Sequence, residues 1–330
     1  MRLRNSRNHT SWYQIKQSFG SSLQLDRPSR LHLAGDADEL SRRFLPSQPK
    51  NTSLLRMNGV RARARGLASL ASHYGGVRAV YDAAPFYSPG PYEAWLAAAC
   101  IQRMELRSSH ALADLGGGSG GFAAKLRELT NARFVSVVDP SAGMLAGAEA
   151  DARVDSAECA DALGWATGSP DTDSRRPAQY ERILLKEVIH HIEPQERAQV
   201  FQSLKDSRLT SQDGKLLIVT RPQHDIDYPL WKAALEVWAE NQPSETSIVN
   251  ELKAAGFSDV TTHLHTYPHE VPVDKWCQLV KGRFWSTFSH FTDEELELGA
   301  EQIRAKAAIG AQDAAGLLRF EDRLLLIVAA

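Results

Sequence analysis

Residues 110–122 read HALADLGGGSGGF: an apolar run holding one acid, Asp114, then five glycines around Ser119, then a segment that favours helix. A strand, glycine turn and helix in that order let a ligand lie against bare backbone at a helix N-terminus, where unpaired N–H groups and the dipole favour negative charge. The stretch points to a cofactor that contains a nucleoside. Gly116, Gly118 and Gly121 satisfy the dinucleotide pattern G-x-G-x-x-G, while Gly116, Gly118 and Gly120 satisfy a second pattern, G-x-G-x-G. The glycines alone leave the choice open.

Upstream, Tyr92–Leu106 places apolar residues at Trp95, Leu96, Ala99, Ile101 and Met104, which predicts a helix ahead of the first strand. Strands over 111–115, 133–139 and 156–159 alternate with helices over 121–129 and 142–150, a pattern that implies parallel pairing and right-handed crossovers. Clustered Gly, Pro, Asp, Ser and Arg mark 164–179 as a surface loop. The run 182–189 is apolar apart from Lys186 and Glu187 and fits a central strand that reaches the edge of a site. A helix over 194–204 and a strand over 215–220 follow, and the alternation then breaks. Helices are expected over 229–239 and 246–255, a strand over 259–267 and a last strand over 319–329. A helical insertion at 268–315, its helices running from Val273 to Ala314, would cover a substrate pocket; Thr292 and Glu295 form a capping box inside it.

Three acids fall at successive strand ends: Asp114 in the first, Asp139 closing the second and Asp161 just after the third. Strand C-termini rim the ligand crevice of an open parallel sheet, so these carboxylates are expected to face one cavity. Asp139 lies 23 residues after Gly116 and suits bidentate recognition of a ribose diol; its other reading is an N-cap for the helix after Ser141.

These residues resemble the class I S-adenosylmethionine-dependent methyltransferases, especially the type 11 small-molecule branch. The resemblance spans about residues 75–330 and rests on ADLGGGSG (113–120), VVDPSAGML (137–145), ECADAL (158–163), ILLKEVIHHI (183–192) and AAGF (254–257). It implies an α/β, Rossmann-like fold: a seven-stranded, mostly parallel sheet in the order 3-2-1-4-5-7-6 with the last strand antiparallel, helices on both faces and a helical insertion before the last strand. It also implies S-adenosylmethionine as cofactor. Asp114 would orient the methionine amino group, Gly116, Gly118 and Gly120 would allow close backbone approach, and Asp139 would hold the ribose with Met144 near the adenine. Asp161 and Ala162 would meet the adenine edge, and Glu187 would reach the pocket from the fourth strand. The implied layout is a methyltransferase domain over 67–330, with a helical cap at 75–109 and a cofactor-binding core at 110–221.

Charge favours that cofactor over NAD, because Asp114 beside the glycine turn would repel a pyrophosphate and attract an ammonium or sulfonium. Methyl transfer is an in-line displacement in which the protein mainly aligns donor and nucleophile, and an oxygen nucleophile must also lose a proton. His190 and His191, just after the fourth strand, are the candidate bases; the bland reading makes one a packing residue and the other a helix cap. For the substrate, Arg221 in IVTRP and Arg283 in KGRFWSTF would take a carboxylate, with Trp285 beside them. Tyr81 and Tyr87 resemble the aromatic segment that closes over the cofactor. His263, His265 and His269 lack the carboxylate or cysteine spacing of a metal site, so no metal is expected.

The formal net charge of −2 over 330 residues hides an asymmetry: residues 1–66 carry 13 Lys and Arg against 4 Asp and Glu. No acid precedes Asp26, the composition of an organelle transit peptide, so 1–66 is expected to be a basic extension that directs import to a chloroplast or mitochondrion. A disordered tail, upstream sequence read through to Met57 and a nucleic-acid arm are the other readings, the last weakened by the lack of aromatic and basic interleaving. Three widely spaced cysteines suggest a reducing, intracellular compartment, and no apolar run is long enough to span a membrane. The function expected is methylation of a small molecule, most readily at oxygen. An RNA or protein methyltransferase that grips its polymer with the basic extension is the first alternative, set back because no Asn-Pro-Pro-Tyr-like text follows the fourth strand. A non-catalytic cofactor-binding protein and an NAD-dependent dehydrogenase are the others.

Overall fold

Two sets of apolar side chains on opposite faces of one sheet organise the chain. In a computed structural model, which describes residue 86 and residues 90–169, 176–310 and 316–330, these residues fall within one compact unit. The basic extension, Tyr81, Tyr87 and the start of the expected 75–109 cap, apart from residue 86, lie outside the described residues.

The elements run α1 (Pro91–Met104), β1 (Ala111–Leu115), α2 (Gly121–Thr130), β2 (Phe134–Asp139), α3 (Ala142–Ala150), β3 (Ser156–Cys159), α4 (Ala162–Thr167), β4 (Arg182–Lys186) and α5 (Pro194–Ser203). They continue with β5 (Lys215–Thr220), α6 (Lys232–Asn241), α7 (Glu245–Ala254), β6 (Val260–Pro272), α8 (Val273–Lys281), α9 (Asp293–Gly310) and β7 (Leu317–Ala329). The seven strands form one sheet in the order β3-β2-β1-β4-β5-β7-β6. β1 to β5 pair in parallel, and β7 lies antiparallel between β5 and β6. The expected order and the antiparallel last strand are both present.

Alternation along the strands divides the core. Leu112, Leu184, Leu217 and Val219 face one side, where they meet α1, α2, α3, α8 and α9 through residues such as Met104, Leu126, Trp276 and Ile303. Ala113, Leu115, Ile183, Leu185 and Ile218 face the other, where α4, α5 and α7 supply Trp165, Phe201 and Leu252. Strands buried on both faces explain the nearly continuous apolar text of β1, β4 and β5. Inside the insertion the capping box is formed: Glu295 Oε2 accepts from the Thr292 N–H at 2.8 Å, and Thr292 Oγ1 accepts from the Glu295 N–H at 3.3 Å.

Three expectations need correction. The loop expected over 164–179 begins instead as helix α4, because Asp161 caps it by accepting from the Gly164 N–H at 2.6 Å. The fourth strand ends at Lys186 rather than running to Ile189: Glu187 adopts φ 62° and a 3-10 turn takes Ile189–His191. The insertion expected from residue 268 starts later, since β6 continues to Pro272 in register with β7.

Candidate active site

β1 ends at Leu115, and the chain turns through the glycines into α2. The N–H groups of Gly116 and Gly117 both donate to the Val138 carbonyl, at 2.7 and 3.2 Å, which ties the turn to the end of β2. A Cβ on Gly116, whose φ is +79°, would come within 2.3 Å of Val188 Cγ2. One on Gly120, with φ +77°, would come within 2.9 Å of Ala148 Cβ. Gly116 is thus demanded by the close approach of the β4 end, and Gly120 by the packing of α3.

Above this edge opens a cavity of about 520 Å³. Of the residues expected to meet a cofactor, Gly116, Gly118, Asp139, Met144 and Glu187 line it, and so do His190, His191, Arg221 and Trp285. Gly120 does not, nor do Asp161 and Ala162, which begin α4 instead. The three strand-end acids therefore do not all face one cavity. Tyr87 lies outside the described residues.

Asp139 sits across the glycine turn. Its Oδ2 accepts from the Gly118 N–H at 3.0 Å and its Oδ1 from the Ser141 N–H at 2.9 Å. The carboxylate borders the cavity and also ties down the Ser141 N–H just before α3. Burial raises its pKa against the pull of those two N–H groups. Asp114 lies beneath the turn, 1 % exposed, and neither of its oxygens has a hydrogen-bond partner among the described residues. Burial pushes its pKa up to about 7, with the Lys186 charge opposing and Asp139 adding to the rise. A buried acid without a donor is costly, and this one lies behind the glycine turn rather than in the lining of the cavity.

The other side of the cavity is built from β4, β5, β7 and the insertion. Arg221, following β5, is 2 % exposed and serves two carboxylates. Its Nη1 donates to Glu187 Oε2, its Nε to Asp322 Oδ1 at 3.1 Å and its Nη2 to Asp322 Oδ2 at 3.3 Å. The Tyr92 hydroxyl donates to Asp322 Oδ2 at 2.5 Å, and the Tyr228 hydroxyl donates to Oδ1. Burial raises both phenol pKa values well above the usual range, so both remain donors. The guanidinium also lies over the rings of Phe86 and Trp285, 5.3 Å from each centroid. Arg283 is elsewhere: it pairs with Asp293 at 2.8 Å, donates to the Phe291 carbonyl at 3.0 Å and does not line the cavity. The expected two-arginine carboxylate clamp is not assembled, because one arginine already neutralises internal acids and the other braces the insertion.

His190 and His191 share the turn after β4, their ring centroids 4.0 Å apart. Burial, the adjacent His191 and Arg197 hold His190 well below the usual histidine pKa, so it is neutral at pH 7. Its Nδ1 has no partner among the described residues.

Sequence reasoning missed Asp322, Tyr92, Tyr228 and Gln242. Asp322 carried a signal. It occupies the inward slot in the alternation Leu318, Phe320, Asp322, Leu324, all buried, and an acid in an apolar register is rarely idle. Among the described residues no group of three or more His, Cys, Asp or Glu could hold a metal ion, and no helix is long and apolar enough to cross a membrane.

Residues 113–216, from Ala113 in β1 into β5, match the family model described as a methyltransferase domain. This part of the chain is a methyltransferase domain. Its sheet, with β7 antiparallel between β5 and β6, is that of the class I S-adenosylmethionine-dependent methyltransferases. Among solved structures, a methyltransferase assigned to an antibiotic biosynthesis pathway in Anabaena variabilis superposes with a TM-score of 0.52 at 18% identity, over 72% of this chain and 97% of that one. The phosphoethanolamine N-methyltransferase 2 of Haemonchus contortus, solved with phosphomonomethylethanolamine and S-adenosylhomocysteine, gives 0.47 at 18% identity over 81% of this chain, which spans 58% of that one. No curated protein matches the sequence.

The residues of the methyltransferase domain fit its cofactor. Asp139 and the backbone of Gly116, Gly117 and Gly118 line the cavity where a diol can reach them, and Asp114, buried behind that turn, has no donor of its own. When bound, S-adenosylmethionine supplies an activated methyl group. The chain's part is to orient it and to shape the space beside it.

Proposed function

We propose that this chain methylates a small molecule at oxygen. The observation that carries the reading is the unpartnered Asp114 under a glycine turn that opens on a cavity of about 520 Å³ with aromatic residues on its far side, Phe86, Trp238 and Trp285. A space of that size, shared between cofactor and acceptor, favours a metabolite over a polymer. Residues 67–330 act as the methyltransferase unit in this reading, and residues 1–66 as an import leader. His191 handles the acceptor's proton, while neutral His190 serves as a hydrogen-bonding wall.

The test is incubation of the full chain with labelled S-adenosylmethionine and a metabolite extract, followed by identification of the labelled product. Transfer to a small molecule is expected; tight NADH binding with no response to S-adenosylmethionine would sink the reading. Asp139→Ala should weaken S-adenosylhomocysteine binding by roughly tenfold to a hundredfold in calorimetry, since it removes two charge-assisted acceptors. His191→Ala is expected to keep cofactor affinity and lose about a hundredfold or more in turnover. Normal turnover by both His190→Ala and His191→Ala would remove the histidines from the chemistry.

A further inference from the structure

The cavity divides at the point where the strand order reverses, between β1 and β4. The glycine turn, Asp139 and Met144 form one half; Glu187, Arg221, Gln242 and Trp285 belong to the other. Lys186 lies toward the first half, over the Phe122 ring of α2 at 5.2 Å. In the second half two acceptor atoms are buried without a donor among the described residues: Glu187 Oε1 and Gln242 Oε1. Gln242 is 7% exposed, and Glu187 is held in the left-handed region at φ 62°. A non-glycine residue is kept in that conformation only by surroundings that over-determine it. Here Glu187 Oε2 is fixed by Arg221, which leaves Oε1 as the unused lone-pair site.

The charges point the same way. Arg221 meets both Glu187 and Asp322, so the group formally carries one net negative charge, which disfavours an anionic ligand. We infer that this half is a specificity site for a hydrogen-bond-donating, non-anionic group of the methyl acceptor, a hydroxyl or amine that donates to Glu187 Oε1 and Gln242 Oε1. A carboxylate or phosphate there would face both of these acceptors and a formal negative charge. Glu187 belongs with the acceptor rather than with the cofactor, and the acceptor bears no carboxylate at this end.

This inference rests on the methyltransferase reading, and the experiment separates the two. The full chain is titrated with S-adenosylhomocysteine, and the complex then with benzyl alcohol, benzylamine and benzoate, three probes that share a ring and differ in the polar group, followed by ligand-observed NMR. The alcohol or the amine is expected to bind about tenfold more tightly than benzoate, the worth of a hydrogen bond to a charged acceptor. Glu187→Gln and Gln242→Leu should each shrink that preference to within about twofold while S-adenosylhomocysteine affinity is kept, which also shows that the variants fold. Benzoate binding as tightly as the other two, no binding by either donor probe, or an undiminished preference in both variants overturns the inference. Failure of S-adenosylhomocysteine to bind overturns the methyltransferase reading instead.

Discussion

Asp114→Asn is expected to change the pH dependence of stability as well as cofactor binding. The folded chain raises this carboxyl from 3.8 to about 7, chiefly through burial. An unfolded chain returns it to the ordinary range near 3.9. The folded state therefore holds a proton that the unfolded state releases between those values. The stability contributed by the protonated acid is present in full below about pH 4 and is lost as pH rises through about 7. Asparagine has no charge to bury. Denaturation at several pH values should find the variant gaining on the parent by about 4 kcal/mol between pH 4 and pH 8, at about 1.4 kcal/mol per pKa unit. The comparison across pH cancels whatever the buried amide costs in itself. Parallel stability curves would show that Asp114 is ionised and paired in the free protein. Binding carries the opposite sign: an ammonium wants the ionised acid, so S-adenosylhomocysteine affinity of the parent should rise with pH through about 7. Asp114→Asn should bind weakly and with little pH dependence.

Arg221→Ala is expected to be the most damaging single change at the acceptor side. It leaves Asp322, 0% exposed, and Glu187 without their shared cation. Removing one partner of a buried pair costs about 3–5 kcal/mol, because the remaining charge stays buried and unpaired. Arg221→Lys should recover only part of this, since an ammonium cannot match the fork that serves two carboxylates at once. Denaturant unfolding measures both; a loss under about 1 kcal/mol for the alanine variant would mean that the cluster relaxes into water.

Much of the cofactor half was legible because its causes are local. The apolar run before Asp114, the glycines and the acid closing β2 are close together in sequence, and strand β1 begins and ends where periodicity placed it. The acceptor half was less legible because its causes are distant. Arg221 and Asp322 stand 101 residues apart, so nothing near Arg221 disclosed that its charge was already matched. The end of β4 was hidden for another reason. Val188 and Ile189 continue the apolar text past the residue at which the backbone turns, and hydropathy does not register a left-handed φ. Asp161 misled through its dual capacity: an acid after a strand can face a ligand or cap the next helix, and here it caps α4.

The Arg221–Asp322 contact bears on how the last strand finds its place. β7 ends in Leu324-Leu325-Leu326-Ile327-Val328, buried on both faces for most of its length, so the inside-outside alternation that normally selects one pairing alignment is weak there. A slide of one residue along β5 would keep nearly all of that greasy run covered. In one direction it would carry Asp322 off Arg221 and present Arg323 in its place, setting two like charges together inside the protein; in the other it would put the longer Glu321 where Asp322 now fits between Arg221, Tyr92 and Tyr228. The carboxylate that pairs with Arg221 therefore serves as a detent for strand alignment, and a correctly seated β7 and a formed Arg221–Asp322 pair are a single event.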